Sequence, residues 1–313
     1  MTLTELRYLV ALDAERHFGR AAERSFVSQP TLSVALKKLE DQLGVTLFER
    51  HRGEARPTPV GERVIEQARR VLAEAEQIKS IAQEGQDELK GSLRVGAIYT
   101  VGPYLLPNLV PALHQAVPGM PLVIEENYTD VLSRRLKQNE LDVIIIALPF
   151  GGAGINTWPI YDEPFVVAMP RAHAWAAQDA IDPDALHSEN VLLLGPGNCF
   201  RDQVLEACPD CHEMELEGQG TLAGSSLETI RHMVVSGLGI TVMPLSAVDT
   251  KGSNDYLVTR PFREPVPARR IALAWRRSFP RPKAVAALRQ AILECSMPGV
   301  RMLVNADPVT AEE

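Results

Sequence analysis

The 313-residue chain is 45% hydrophobic and 23% charged, enough apolar mass for a buried core and too much for a disordered chain. No run nears the about 20 apolar residues that span a bilayer, and the start, MTLTELRYLV, lacks a basic-then-apolar leader, so a cytoplasmic protein with no membrane partner is expected. The net charge is −8, yet residues 1–58 carry nine Lys or Arg against eight Asp or Glu, so a polyanion would have to meet a local basic stripe.

In chain order, Leu6, Leu9, Val10 and Ala14 recur at helical spacing and predict a helix over Thr4–Ala14, with Thr4 as its cap. Phe18–Arg24 reads as a second short helix, broken at Ser25–Ser28. Ser28 then caps a third, Gln29–Leu43, with Pro30 in its first turn and Gly44 as its stop. Leu32, Ala35, Leu36, Leu39 and Leu43 form the apolar face of that helix, and Gln29, Thr31, Ser33, Val34 and Lys37 lie elsewhere around it. Val45–Arg50 and Arg56–Thr58, joined by a turn at His51–Glu54, read as the two strands of a wing. Pro59 or Gly61 opens a long helix to about Asp87, whose apolar positions Val64, Ile65, Ala68, Val71, Leu72, Ala75, Ile78 and Ala82 repeat at three and four. Such a stripe suggests self-association, the alternative being packing on its own domain.

From Ser92 the texture alternates strand and helix. Strands are expected at 92–98, 122–128, 141–147, 163–169, 191–194, 238–244 and 270–276, and helices at 104–116, 130–138, 200–207, 226–236 and 282–293. This is the pattern of an α/β domain with largely parallel sheets. Cys199, Cys208 and Cys211 fall within thirteen residues, with Cys295 apart. That clustering suggests redox chemistry or metal binding rather than a disulfide framework. Cys199, Cys208, Cys211 and His212 supply ligand types for zinc, but without a second knuckle no metal is expected. Cys295 reads as a small buried hydrophobe.

The pair Phe18–Arg24 and Ser28–Leu43 matches a helix-turn-helix, although the pattern alone also allows a helical hairpin that meets no nucleic acid. FGRAAERSFVSQPTLSVALKKLEDQLGVTLFER, followed by RPTPVGE, resembles the head of LysR-type transcription regulators. The matched pattern includes Ala21–Ala22, Ser28–Gln29, Ser33, Lys38–Leu39–Glu40, Gly44, Leu47–Phe48–Glu49–Arg50 and Thr58–Pro59–Gly61. The resemblance implies an α/β chain built as a winged helix-turn-helix at residues 1–58 and a linker helix at 59–90. A two-lobed, periplasmic-binding-protein-like regulatory domain follows at 91–303, with lobe I at 91–162 and 269–303, lobe II at 163–268, and a tail at 304–313. It implies operator DNA, RNA polymerase and the chain itself (homodimer or homotetramer) as partners, with neither a cofactor nor an enzymatic role. Arg20, Ser28, Gln29, Pro30, Thr31, Ser33, Lys37 and Lys38 would face the DNA; polar side chains early in the helix suit base edges, and the lysines suit phosphates.

Within that family GNCFRDQVLEAC resembles the OxyR subfamily of hydrogen-peroxide sensors, as do VGAIYTVGPYLLP, IEENYTD and SSLETIRHMVVSGLGITVMP. The resemblance assigns Cys199 as the peroxide-reactive thiol and Cys208 as its resolving partner, with Cys211 three residues further on. Thr100 and Thr129 would line the peroxide pocket, with Asn198, Arg201 and Arg269 near it. Cys199 is expected just before a helix, where backbone amides favour a negative sulfur. If Cys208 lies on the same helix, the two are about 13 Å apart, against less than about 7 Å between the Cα atoms of a disulfide, so pairing requires refolding. Asn198 stands where such sensors usually have histidine. The alternative is a LysR-type regulator answering to a small metabolite held between the lobes.

Overall fold

The computed structural model describes residues 1–51, 54–84, 87–207, 223–224, 226–248 and 256–310. It forms two compact units, Met1–Gln86 with Gln138–Glu140, and Asp87–Lys137 with Leu141–Glu313.

The first unit opens with α1 (Leu3–Glu15). Its cap is Thr2, not Thr4, because Thr2 and Glu5 satisfy each other: the Thr2 hydroxyl accepts from the Glu5 amide at 3.2 Å, and the Glu5 carboxylate accepts from the Thr2 amide at 2.7 Å. Helix α2 (Phe18–Arg24) follows, then α3 (Gln29–Leu43). Ser28 caps α3 through the Thr31 amide, an arrangement worth about 1 kcal/mol, and Gly44 ends it at φ 67. Leu32, Leu36 and Leu39 of α3 bury against Leu6, Leu9 and Leu12 of α1 and Ala21 and Ala22 of α2. Leu43, expected on this face, is 39% exposed.

The wing is the antiparallel pair β1 (Phe48–His51) and β2 (Glu54–Pro57). It lies closer to the turn than expected, His51 and Glu54 of the expected turn being paired in the strands, while the Glu40 carboxylate takes the amides of Leu47 and Phe48, at 2.7 and 3.2 Å, and ties that segment to α3. The Thr58 hydroxyl donates to the Thr46 carbonyl and accepts from the Gly61 amide. A Cβ at Gly61 would lie 2.1 Å from the Leu47 carbonyl, so only glycine fits there. Helix α4 (Pro59–Glu84) follows. Its Ile65 and Ala68 are buried, and Val64 and Leu72 pack, in the core of the head itself. Part of the apolar stripe read as a self-association seam therefore serves this unit; Val71 and Ile78 are 36% and 69% exposed.

In the second unit β3 (Leu93–Ile98) lies parallel to both β4 (Leu122–Asn127) and β5 (Val143–Leu148). Helices α5 (Gly102–Ala116) and α6 (Thr129–Lys137) connect these strands. The long β6 (Ile155–Pro170) leaves this first core and enters a second. There β9 (Ile240–Pro244) and β10 (Leu257–Pro261) pair with β6 antiparallel, while β7 (Val191–Leu194) runs parallel to β9 and to β8 (Ala223–Gly224). Helices α7 (Cys199–Ala207) and α8 (Leu227–Val235) pack on that second sheet. β11 (Ala268–Arg276) returns antiparallel to β6 and β5, and α9 (Pro282–Leu293) closes the first core.

The sheet is mixed rather than largely parallel, since a chain that leaves one lobe and comes back must cross twice in opposite directions. β6 begins well before the strand expected at 163–169; Pro159, in its first half, sits at the irregularity in the β6–β11 register, where a proline is tolerated. β12 (Arg301–Met302) and β13 (Val309–Thr310) pair with the same part of β6, so Val309 and Thr310, within the expected tail, are strapped to the sheet. The Trp158 indole donates to the Ala306 carbonyl at 2.6 Å across this strap.

Candidate functional site

Cys199 is the first residue of α7, not the residue before it, and is half-buried against the first core. Gly197, at φ 90, turns the chain into the helix. Asn198 is buried, and its side-chain nitrogen donates to the Gly195 carbonyl at 2.9 Å, so part of its donor capacity holds the loop. The next residue, Phe200, is buried in the second core, edge-on to Phe165 at 5.1 Å, and the Arg269 guanidinium lies 5.0 Å over its ring. Gln203 donates to the Leu148 carbonyl at the end of β5. One turn of α7 is thus fastened to both lobes.

Beside the sulfur is a small cavity, with about 10 Å³ open to the centre of a water-sized molecule. Thr100, Thr129, Asn198 and Cys199 line it, with Tyr99 and Tyr128 edge-on at 5.3 Å on its wall. About 10–15 Å³ on this measure holds one water, whereas a metabolite takes roughly 300 Å³ or more. Thr129 opens α6, and its hydroxyl oxygen is buried without a hydrogen-bond partner among the described residues. A hydroxyl in that state is available to a guest with both donor and acceptor capacity.

Thr100 is held differently. The Arg269 guanidinium donates to the Thr100 hydroxyl oxygen and to its carbonyl, each at 2.8 Å, and its Nε donates to Glu163 at 2.8 Å. Glu163 and Arg269 are register partners on the crossing strands β6 and β11, and both side chains are fully buried. The second Glu163 oxygen accepts the Ser246 amide at 2.9 Å. With an oxygen lone pair engaged by Arg269, the Thr100 hydroxyl keeps its own proton to donate, and the cation polarises it. Among the described residues, neither Arg269 nor Arg201 lines the cavity: Arg269 acts one residue removed, and the Arg201 amide bonds to the Asn198 carbonyl. Cys208 and Cys211 lie outside the described residues. Cys295 is buried, its sulfur donating to the Ala291 carbonyl, and burial pushes its thiol pKa up.

In the head, Arg20, Ser28, Gln29, Pro30, Thr31, Lys37 and Lys38 are exposed and Ser33 half-buried. The Thr31 hydroxyl lies 2.8 Å from the Ser28 hydroxyl, so both take part in the cap. Arg20 donates to the Glu15 carbonyl, and Arg24 pairs with the Glu15 carboxylate at 2.9 Å.

Residues 3–62 match the bacterial regulatory helix-turn-helix protein of the lysR family, and residues 86–295 match the LysR substrate binding domain. The DNA-binding transcriptional dual regulator OxyR of Escherichia coli K12 is 38% identical over 93% of this chain and 95% of its own. The chain belongs to the OxyR branch of the LysR family. A full-length OxyR mutant from Pseudomonas aeruginosa superposes with TM-score 0.76 at 55% identity, over 95% of this chain and 99% of that one. An H2O2-bound OxyR mutant from Corynebacterium glutamicum gives 0.63 at 33% identity, over 93% and 91%.

For a LysR-family regulator the two-lobed α/β architecture and the winged head are thus accounted for. Sequence reasoning missed three residues that pack or bond around this cavity: Glu163, Phe200 and Gln203. Phe200 and Gln203 left a signal in their helical spacing, Gln203 four residues after Cys199 and Phe200 four before Val204. Glu163 left none, because its partner Arg269 is 106 residues away.

Proposed function

We propose that this protein is a peroxide-responsive transcription regulator in which Cys199 is the sensing thiol. The observation that carries the reading is the cavity: a space at the sulfur, lined by Thr100 and Thr129, with room for about one water-sized molecule. The Cys199 thiolate attacks one peroxide oxygen, an S–O bond forms, the O–O bond breaks and hydroxide leaves. The product is a sulfenic acid, and a second thiol, Cys208 by resemblance, displaces water from it to give a disulfide. The hydroxyls of Thr100 and Thr129 would donate to the leaving oxygen, the task that preorganised donors perform at developing negative charge. Arg269 is then a positioning residue for Thr100. Since Phe200 and Gln203 fasten α7 to both lobes, drawing Cys199 toward a second thiol would loosen both attachments, which is how oxidation reaches the rest of the chain.

The head would bind operator DNA through α3, with Lys37 and Lys38 on phosphates, the chain acting as a homodimer or homotetramer in the cytoplasm and engaging RNA polymerase. Among the described residues no helix is long and apolar enough to cross a membrane. The role is regulatory rather than enzymatic, so peroxide is consumed stoichiometrically unless a reductant resets the thiols. Footprinting of one promoter with reduced and with peroxide-treated protein tests this: the contacted bases change for wild type and stay fixed for Cys199→Ser. Identical footprints for wild type in both states would overturn the reading.

The metabolite reading also has one observation behind it. A second cavity of about 620 Å³ lies between α5 and α8, where the Tyr104 hydroxyl donates to Glu228 at 2.9 Å and Arg231 approaches the same carboxylate at 3.4 Å. Arg231 also donates to the Ala247 carbonyl, and Cys199 is not among the residues that line this space. Thermal-shift screening of Cys199→Ser against small metabolites separates the two readings.

A further inference from the structure

Recognition helix α3 carries an apolar side chain at the centre of its outward face. Leu32, Leu36 and Leu39 define the buried side, and Val34 lies about 140–160° around the helix from each of them. It is 69% exposed. Pro30, Thr31, Lys37 and Lys38, all exposed, fall within about 60° of it on that face. A valine here neither supports the core nor caps the helix, and solvating it gains nothing.

On the reading that this head binds DNA, we propose that Val34 packs on the C5-methyl group of a thymine in the major groove and so sets part of the operator sequence. The major groove shows four edge patterns, and only the A·T pair displays a methyl group there. Two features of the face favour that group over a hydrogen-bonding base edge. Val34 offers only methyls, and the neighbouring Thr31 hydroxyl is engaged with Ser28 at 2.8 Å, which leaves the middle of the face poor in free donors and acceptors. Lys37 and Lys38 flank the valine with positive charge suited to the two phosphate backbones. The helix thus reads by polar side chains at its N-terminus (Gln29, Ser33) and by a methyl contact at its middle.

The test uses full-length protein and a duplex selected from a randomised library. Each thymine of the selected half-site is replaced in turn by deoxyuridine, which removes the methyl and leaves every hydrogen-bonding group in place. For wild type, one position should weaken binding about fourfold, equivalent to the about 0.8 kcal/mol of one buried methyl-sized group. Val34→Ala should bind the thymine duplex about as weakly as wild type binds the uracil one, and should not respond to the swap. If wild type is indifferent to every uracil, or Val34→Ala stays equally sensitive at the same position, the proposal is overturned. If the library yields no bound duplex at all, it is the DNA-binding reading that fails, a result distinct from either. Because Val34 is exposed, thermal melting of the variant should match wild type and exclude a folding defect.

Discussion

Arg269 grips Thr100 at two points, hydroxyl and carbonyl, each at 2.8 Å, while its third donor holds Glu163. The crossing strands of the two lobes are thereby wired to one wall of the Cys199 cavity. Removing the arginine strands a buried carboxylate, and breaking such a pair typically costs about 3–5 kcal/mol. Arg269→Ala should therefore lose stability on that scale in urea unfolding and should oxidise more slowly as well. Thr100→Val, which leaves the Arg269–Glu163 pair intact, should keep most of the stability and lose about tenfold in oxidation rate, about 1.4 kcal/mol of barrier. Equal stability losses in the two variants would show that Thr100 is simply part of the core.

Thr129 supplies a sharper separation of structure from chemistry. Its buried hydroxyl has no hydrogen-bond partner among the described residues, so deleting it forfeits no bond and removes a desolvated polar group. Thr129→Val should be as stable as wild type or slightly more so, yet should oxidise about tenfold more slowly. Loss of stability without loss of rate, in paired melting and stopped-flow measurements, would contradict this assignment.

Asn198 lines the same cavity while donating to the Gly195 carbonyl at 2.9 Å. An amide offers a neutral hydrogen bond; an imidazole can also transfer a proton near neutral pH. Asn198→His should accelerate peroxide oxidation by about tenfold and introduce a pH dependence between about 6 and 8. An unchanged rate and profile would mean that the position serves only the loop.

Sequence reading reached some parts of this arrangement and stopped short of others. Local features were legible: Ser28 and Pro30 start α3 and Gly44 ends it, and the structure gathers Thr100, Thr129 and Cys199 around one cavity. What was not legible depended on distant pairing. The first half of β6 is defined by its pairing with the distant return strand β11, across an irregularity beside Pro159. Arg269, expected near the peroxide pocket, stands one residue removed from the cavity, bound to Thr100 and to Glu163 on the neighbouring strand. Val34 was noted only as lying off the apolar face.

The long helix α4 gives a prediction about assembly. Leu72 packs in the head, whereas Ile78 is 69% exposed on the same helix. A charge at Ile78 should spare the head and weaken self-association, at several kcal/mol per dimer if the position is buried between copies, roughly the penalty for an unpaired buried charge. Sedimentation should show smaller species for Ile78→Glu than for wild type. The same species in both would remove this end of α4 from the interface.

The central claim is that Cys199 is the thiol that meets peroxide. Intact-mass analysis after one equivalent of hydrogen peroxide, followed by peptide mapping of the disulfides, tests it most directly. Wild type should lose the mass of two hydrogens and yield a disulfide that includes Cys199. Cys199→Ser should gain no disulfide at that dose, and Cys295→Ser should behave as wild type, in line with its buried thiol and raised pKa. A disulfide formed equally well in Cys199→Ser, or a wild type left fully reduced, would contradict the account.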